Sequence, residues 1–173
     1  MSPLGVGVLA ALTGVGGVAP SAPVERPDPA RWSAELVDAP RTPGAPFPIR
    51  AVVFVEEGWR LYSLSQPPGG PLPTRIWLAE GQPWLPAGPV RGPDPLREFD
   101  PFFGMEVETY SGRVEFDLEV KGGGGPSAPP IQLRARYQMC NGERCLRPKT
   151  LRIELPVDPG RLGPASGDGV SNP

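Results

Sequence analysis

A chain of 173 residues with 27 Pro, 23 Gly and a formal net charge of −2 has room for one domain with an adequate core. That composition favours short strands and turns over long helices, and the charge gives no pull toward nucleic acid or an anionic membrane surface. Histidine is absent, which excludes a Ser-His-Asp or Cys-His centre and removes the commonest metal ligand. Two cysteines fall short of a four-ligand zinc site, so neither a metal nor another cofactor is expected. The Asp and Glu residues are scattered along solvated strand faces, without the facing pair that glycoside chemistry requires.

Residues 1–22 are apolar and rich in small residues. The run is shorter than the ~20 residues a membrane helix needs, and small residues follow it as at a signal-peptidase site, so despite the lack of a basic residue before Arg26 it reads as a signal peptide ahead of an uncleaved anchor or a misplaced start codon. Export places the thiols in a periplasmic or other extracytoplasmic compartment, where disulfides form and persist. Residues 23–31, "PVERPDPAR", read as a stiff Pro-rich linker. From Trp32 to Asp158 short β segments alternate with turn residues: "WSAELVDA", "PIRAVVFVEEGWRLYSL", "TRIWLAE", "MEVETYSGRVEFDLEVK", "IQLRARYQMC" and "TLRIELPV".

In "VEFDLEV", Val114, Phe116, Leu118 and Val120 face one way while Glu115, Asp117 and Glu119 face the other, the pattern of a half-buried antiparallel strand. Six to nine such strands imply an all-β, immunoglobulin-like antiparallel sandwich. Trp59, Trp77 and Trp84 are expected in its core. "KGGGGPSAPP" at 121–130 lacks the Gly-Lys-Ser/Thr ending and the following helix of a phosphate loop, and reads as a strand connection. Residues 159–173 have almost no apolar content and are expected to be a disordered tail.

Both cysteines, Cys140 and Cys145, flank "NGER", and Asn-Gly is a strong hairpin signal. Cysteines facing one another across an antiparallel pair fall within disulfide range. A ring this small constrains the unfolded chain by only about 2 kcal/mol, and a short bridge at an exposed edge is of the labile kind. These features alone leave a redox role and a passive staple equally open.

The segment "YQMCNGERCLRPKTLRIELPV", with "GWRLYS" (58–63) and "EFDPFFGMEVETYSG" (98–112), resembles the N-terminal, immunoglobulin-like domain of the thiol:disulfide interchange protein DsbD. Tyr137, Gln138, Cys140, Cys145, Pro148 and Thr150 fit the cysteine signature, and Tyr62 fits the second stretch. Asp100, Phe102 and Phe103 fit a loop that caps the disulfide. The resemblance implies an exported domain, monomeric, that relays reducing equivalents by thiol–disulfide exchange. Its implied partners are thioredoxin-like redox proteins, as in cytochrome c maturation, and a membrane electron donor acting in trans.

Under that reading Cys140 forms the mixed disulfide and Cys145, expected to be the more enclosed sulfur, resolves it. Phe102 and Phe103 cover the bridge, with core packing equally open for Phe103. Asp100 accepts a proton from the nearby thiol or raises its pKa, with a loop-capping role open beside it, and Arg144 and Arg147 either lower a thiolate pKa or are solvated. Pro101, where the family usually carries an acid, and Arg60, where it carries an aromatic, depart from the pattern. The reading from another class is a non-catalytic immunoglobulin-like binding module with a structural disulfide.

Overall fold

Strict alternation of apolar and polar side chains sets the architecture in the computed structural model, which describes residues 28–38, 44–122 and 129–158. The expected signal peptide at 1–22, residues 123–128 of the Gly/Pro-rich connection and the expected disordered tail at 159–173 lie outside the described residues. Eleven strands are present among them: β1 (Ala30–Leu36), β2 (Phe47–Val55), β3 (Arg60–Tyr62), β4 (Arg75–Leu78), β5 (Trp84–Pro86), β6 (Leu96–Asp100), β7 (Met105–Tyr110), β8 (Arg113–Gly122), β9 (Ile131–Tyr137), β10 (Met139–Cys140) and β11 (Lys149–Leu155). They form three antiparallel sheets, ordered β1-β2-β8-β5, β11-β9-β4 and β10-β3-β7-β6.

The core is built from inward positions of the first two sheets. Ile49, Ala51 and Val53 of β2 and Val114, Phe116, Leu118 and Val120 of β8 join Leu133, Ala135 and Tyr137 of β9 and Ile153 and Leu155 of β11. Phe116 is fully enclosed, stacked on Trp32 at 5.9 Å between ring centroids and edge-on to Tyr110 at 5.6 Å. The result is an immunoglobulin-like all-β sandwich.

Glycines divide what the sequence presents as continuous strands. Gly58 (φ +81°) breaks the run from Pro48 into β2 and β3, and Gly112 (φ +66°) separates β7 from β8; both adopt a left-handed backbone that a side chain would strain. β1 begins at Ala30, inside the stretch expected to be linker, because Asp28 anchors it: its carboxylate accepts from the Ala30 N–H (3.0 Å), the Tyr137 hydroxyl (2.6 Å) and the Lys149 ammonium (2.6 Å). Trp59 and Trp84 are buried as expected, but Trp77 is 40% exposed. Its neighbour Ile76 takes the inward position of the short strand β4, and alternation turns Trp77 to solvent.

One crossing of the chain creates the site. β9 pairs with β11 and β4 as far as Tyr137, whereas Met139 and Cys140 pair with β3 in the other sheet. Gln138 sits at the switch: its carbonyl accepts from Tyr62 N–H, its side-chain oxygen from Leu72 N–H (2.9 Å), and its side-chain amide donates to the Leu146 carbonyl. Cys140 is thereby delivered to the end of the sandwich.

Candidate functional site

Cys140 and Cys145 are joined in a disulfide, with Cα atoms 4.1 Å apart and isolated antiparallel pairing between the two residues. The loop between them is an Asx turn. Asn141 Oδ1 accepts from the Glu143 and Arg144 N–H groups at 3.1 and 2.9 Å, and Gly142 takes φ +83°, as Asn-Gly chemistry requires. Leu146 N–H then donates to the Met139 carbonyl (2.8 Å). Between this pairing and Tyr137↔Lys149, Arg147 and Pro148 oppose Gln138 alone, so the returning strand bulges at Arg147–Pro148 and the hairpin tip is re-aimed.

Around the bridge lies a small second core of Tyr62, Val107 and Cys140, against which Phe103, Met105 and Cys145 pack. Cys140 is 4% exposed and Cys145 is half-buried. The enclosure is the reverse of that expected, because the sheet switch at Gln138 carries Cys140 inward, whereas Cys145 follows a loop open to solvent.

Tyr62 connects sulfur to carboxylate. Its hydroxyl lies 2.9 Å from Cys140 Sγ and donates to Asp100 Oδ2 at 2.7 Å. Burial, then the bond to the Asp100 carboxylate, holds the phenol far above its ordinary pKa, so it stays a proton carrier at all ordinary pH. Asp100 Oδ1 accepts from the Phe102 and Phe103 N–H groups, at 2.8 and 3.4 Å, and Gly104 N–H closes the turn on the Asp100 carbonyl. Pro101, fixed near the helical φ, pre-forms this single turn.

The two phenylalanines of the cap divide their contacts. Phe103 meets Tyr62 edge-on at 6.1 Å and packs against the disulfide cluster. Phe102 is 52% exposed and, with Phe99, Asp100, Arg60, Glu98 and Gly142, lines a cleft of about 20 Å³ over Cys140, room for about one water molecule. Arg60, directly opposite Cys140 in the β3–β10 pair, is bound to Glu98 at 2.6 Å. Arg144 lies over the Trp59 ring, 5.3 Å from its centroid. Arg147 is exposed and Thr150 lies on β11. Tyr137 does not join the site: its ring packs on Trp32 in the main core, and its hydroxyl, also held far above its ordinary pKa by burial and by Asp28, faces the N-terminal strand.

Two supports of the site carry no sequence motif. Glu98 holds Arg60 across the cleft and also accepts from Thr109 Oγ1 (3.0 Å). Behind β7, buried Glu108 accepts from Ser65 Oγ (2.5 Å), Ser63 Oγ (3.3 Å) and Arg97 (3.0 Å). A buried acid in the middle of "MEVETY" was the available signal, because every residue from Val107 to Tyr110 is buried. The Ser65 hydrogen bond leads, with Ser63 and Arg97, in holding the Glu108 carboxyl below its ordinary value of 4.5 against the opposing effect of burial. A depressed folded-state pKa stabilises the fold above the unfolded value, and this contribution is lost as pH falls through the folded value. Thermal unfolding followed from pH 7 to 2 should therefore show a midpoint that drops below about pH 4.5. Glu108→Gln should lower stability at pH 7 by about 1–3 kcal/mol and flatten that acid slope; an unchanged slope would remove Glu108 from the account.

No curated protein matches the chain. Residues 31–156 match the family described as "Thiol:disulfide interchange protein DsbD, N-terminal". Among solved structures the chain is similar to the N-terminal periplasmic domain of ScsB from Proteus mirabilis, with a TM-score of 0.55 and 20% identity over 82% of this chain and 50% of that one. It thus spans half the length of that structure. A further similarity, to the DsbD N-terminal domain of Neisseria meningitidis in the reduced form, has a TM-score of 0.46 and 15% identity over 64% of this chain and 77% of that one. With the match covering most of its length and the cysteine pair bridged, the chain belongs to the family of DsbD N-terminal domains and is a thiol–disulfide interchange domain.

Proposed function

We propose that the domain passes reducing equivalents to thioredoxin-like proteins in the periplasm, and that Cys145 is the sulfur that meets them. The observation that carries this is the contrast between the two sulfurs: Cys145 is half-buried at an open loop, whereas Cys140 is enclosed and touches the Tyr62 hydroxyl at 2.9 Å. In the reduced domain, the Cys145 thiolate attacks a disulfide sulfur of the partner, forming the mixed disulfide and expelling the partner's other sulfur as thiolate. Cys140 then attacks Cys145 Sγ. The mixed disulfide breaks, the partner leaves with both sulfurs reduced, and the Cys140–Cys145 bond re-forms.

Reloading runs the other way. A donor thiolate attacks Cys145 Sγ, and the electron pair of the S–S bond leaves on Cys140. There the Tyr62 hydroxyl, 2.9 Å from Cys140 Sγ, turns its single proton from Asp100 to the leaving sulfur. The donor's second thiolate then attacks the donor sulfur of the mixed disulfide, releasing Cys145 as thiolate and leaving the donor as a disulfide. The Asp100 carboxylate behind the phenol disfavours a second full negative charge beside it, which promotes protonation of Cys140 and keeps the reduced pair from reacting indiscriminately.

Phe102 and Phe103 act as the cover. The cleft over Cys140 is too small for a reagent, so attack at that sulfur requires the turn at Asp100–Gly104 to open, and uncovering it adds a second route of reduction to the one at Cys145. Phe102→Ala should speed reduction by dithiothreitol several-fold and cost less than about 1 kcal/mol, because an exposed ring leaves little cavity. Phe103→Ala should both speed reduction and cost more stability. An unaltered reduction rate in both variants would mean that the turn shields nothing.

The function is tested by the reduction potential of the Cys140–Cys145 couple. A transferable disulfide should equilibrate with glutathione or thioredoxin buffers at a potential above about −300 mV. A value well below that would make the bridge a staple and the domain a binding module.

A further inference from the structure

The outward face of the β11-β9-β4 sheet carries arginines that neither the fold nor the exchange site uses. Register places Arg75 of β4 directly opposite Arg136 of β9, and Arg134 of β9 between Trp77 of β4 and Arg152 of β11. Like charges directly opposed across strands destabilise a sheet, yet two such pairs lie side by side here. Elsewhere four strand arginines are neutralised within the chain, Arg50 and Arg113 by Glu115, Arg60 by Glu98 and Arg97 by Glu108, and the exposed Arg31 of β1 stands alone rather than opposite another arginine.

None of the four arginines on this face is paired with a carboxylate among the described residues. Nε of Arg136 is buried there without a hydrogen-bond partner. Beside them Trp77 is exposed, and a concavity of about 420 Å³ opens between Trp77, Glu80, Gln132, Arg134, Thr150 and Arg152.

We propose that this face binds an extended acidic segment of a partner protein, with carboxylates at alternate positions. The spacing specifies the ligand. The Arg75·Arg136 and Arg134·Arg152 rows are two residues apart along β9, about 6.6–6.8 Å, which is also the repeat between side chains on one face of an extended chain. Each row presents guanidinium forks, whose planar donors match carboxylates two bonds at a time. Trp77, in the same row as Arg134 and Arg152, supplies an apolar flank for the methylene stems of the acidic side chains. A concave site suits a single segment better than a planar lipid surface.

The test is a titration of the full chain with an acetylated, amidated heptapeptide of alternating serine and glutamate, followed by calorimetry and by tryptophan fluorescence. Saturable binding that weakens with added salt is expected, with a fluorescence change that disappears in Trp77→Phe. Arg134→Glu combined with Arg152→Glu should weaken it at least tenfold, and Arg75→Ser with Arg152→Ser should do so with minimal disturbance of the sheet. A peptide of the same composition with its glutamates contiguous should bind at least fivefold more weakly. All variants should keep the wild-type rate of reduction by dithiothreitol, since the face lies apart from the bridge. Equal binding of both peptides, or indifference to the arginine substitutions, would overturn the proposal. Binding of phosphatidylglycerol vesicles in place of the peptide would overturn it in favour of a membrane.

Discussion

Cys140→Ala is expected to accumulate mixed disulfides with a thioredoxin-fold protein presented in its disulfide form, and Cys145→Ala is expected to accumulate at least tenfold less. The difference follows from access. A sulfur must be approached in line with the bond it breaks, and only Cys145 offers its sulfur to the outside of the hairpin. Cys140 lies beneath the cap turn, against Tyr62 and Val107. The same ratio should hold for reaction of the single remaining thiol with an aromatic disulfide reagent, which separates access from partner recognition. Both variants should remain folded, because closing so small a ring contributes only about 2 kcal/mol. Faster trapping by Cys145→Ala would restore Cys140 as the attacking thiol. If neither variant trapped a partner and both unfolded, the bridge would be structural.

The largest effect on stability should come from Phe116→Ala, at about 3–5 kcal/mol, because the ring fills the space between Trp32, Tyr110 and the segment around Gly92. A more discriminating measurement pairs it with Gly92→Ala. A methyl group built on Gly92 would lie 2.9 Å from Phe116 Cδ1 and 3.2 Å from the Tyr110 hydroxyl, closer than van der Waals contact allows. The Arg91–Asp117 pairing holds that segment against β8. Gly92→Ala alone should therefore cost about 1–3 kcal/mol by overpacking, but close to nothing once Phe116 is alanine, since the methyl group then enters the space the ring vacated. Urea unfolding of the four proteins would give this coupling directly. Equal costs in both backgrounds would show that Gly92 is selected for a reason other than contact with Phe116.

What was legible in the sequence was whatever depends on near neighbours. The alternation of Val114, Phe116, Leu118 and Val120 gave a half-buried strand, and the structure buries those four side chains. Asn141-Gly142 marked a hairpin, and the side chain of the first and the positive φ of the second make its turn. Misreadings arose where distant segments decide. β6 carries no alternation to read, because both its apolar residues, Leu96 and Phe99, are exposed while Glu98 and Asp100 are partly buried. Trp77 was assigned to the core on its chemistry, but phase along β4 overrode it.

The relative enclosure of the cysteines depended on a change of sheet at Gln138 that no local pattern announces. Tyr62, Asp100 and the cap phenylalanines stood out only through resemblance to a family. Their convergence needed β3 and β6 to be placed on either side of β7.

The Asp28 anchor bears on where this domain begins as a heritable and expressible unit. The family match starts at residue 31, yet the carboxylate that receives the Tyr137 hydroxyl and the Lys149 ammonium lies three positions earlier. A fragment trimmed to the matched boundary would leave a buried phenol without its acceptor and a lysine without its counter-charge, both on the strands that lead into and out of the cysteine hairpin. The segment that reads as a tether between leader and domain is thus partly a brace, and the boundary that preserves the redox end of the molecule falls at Asp28 or before it.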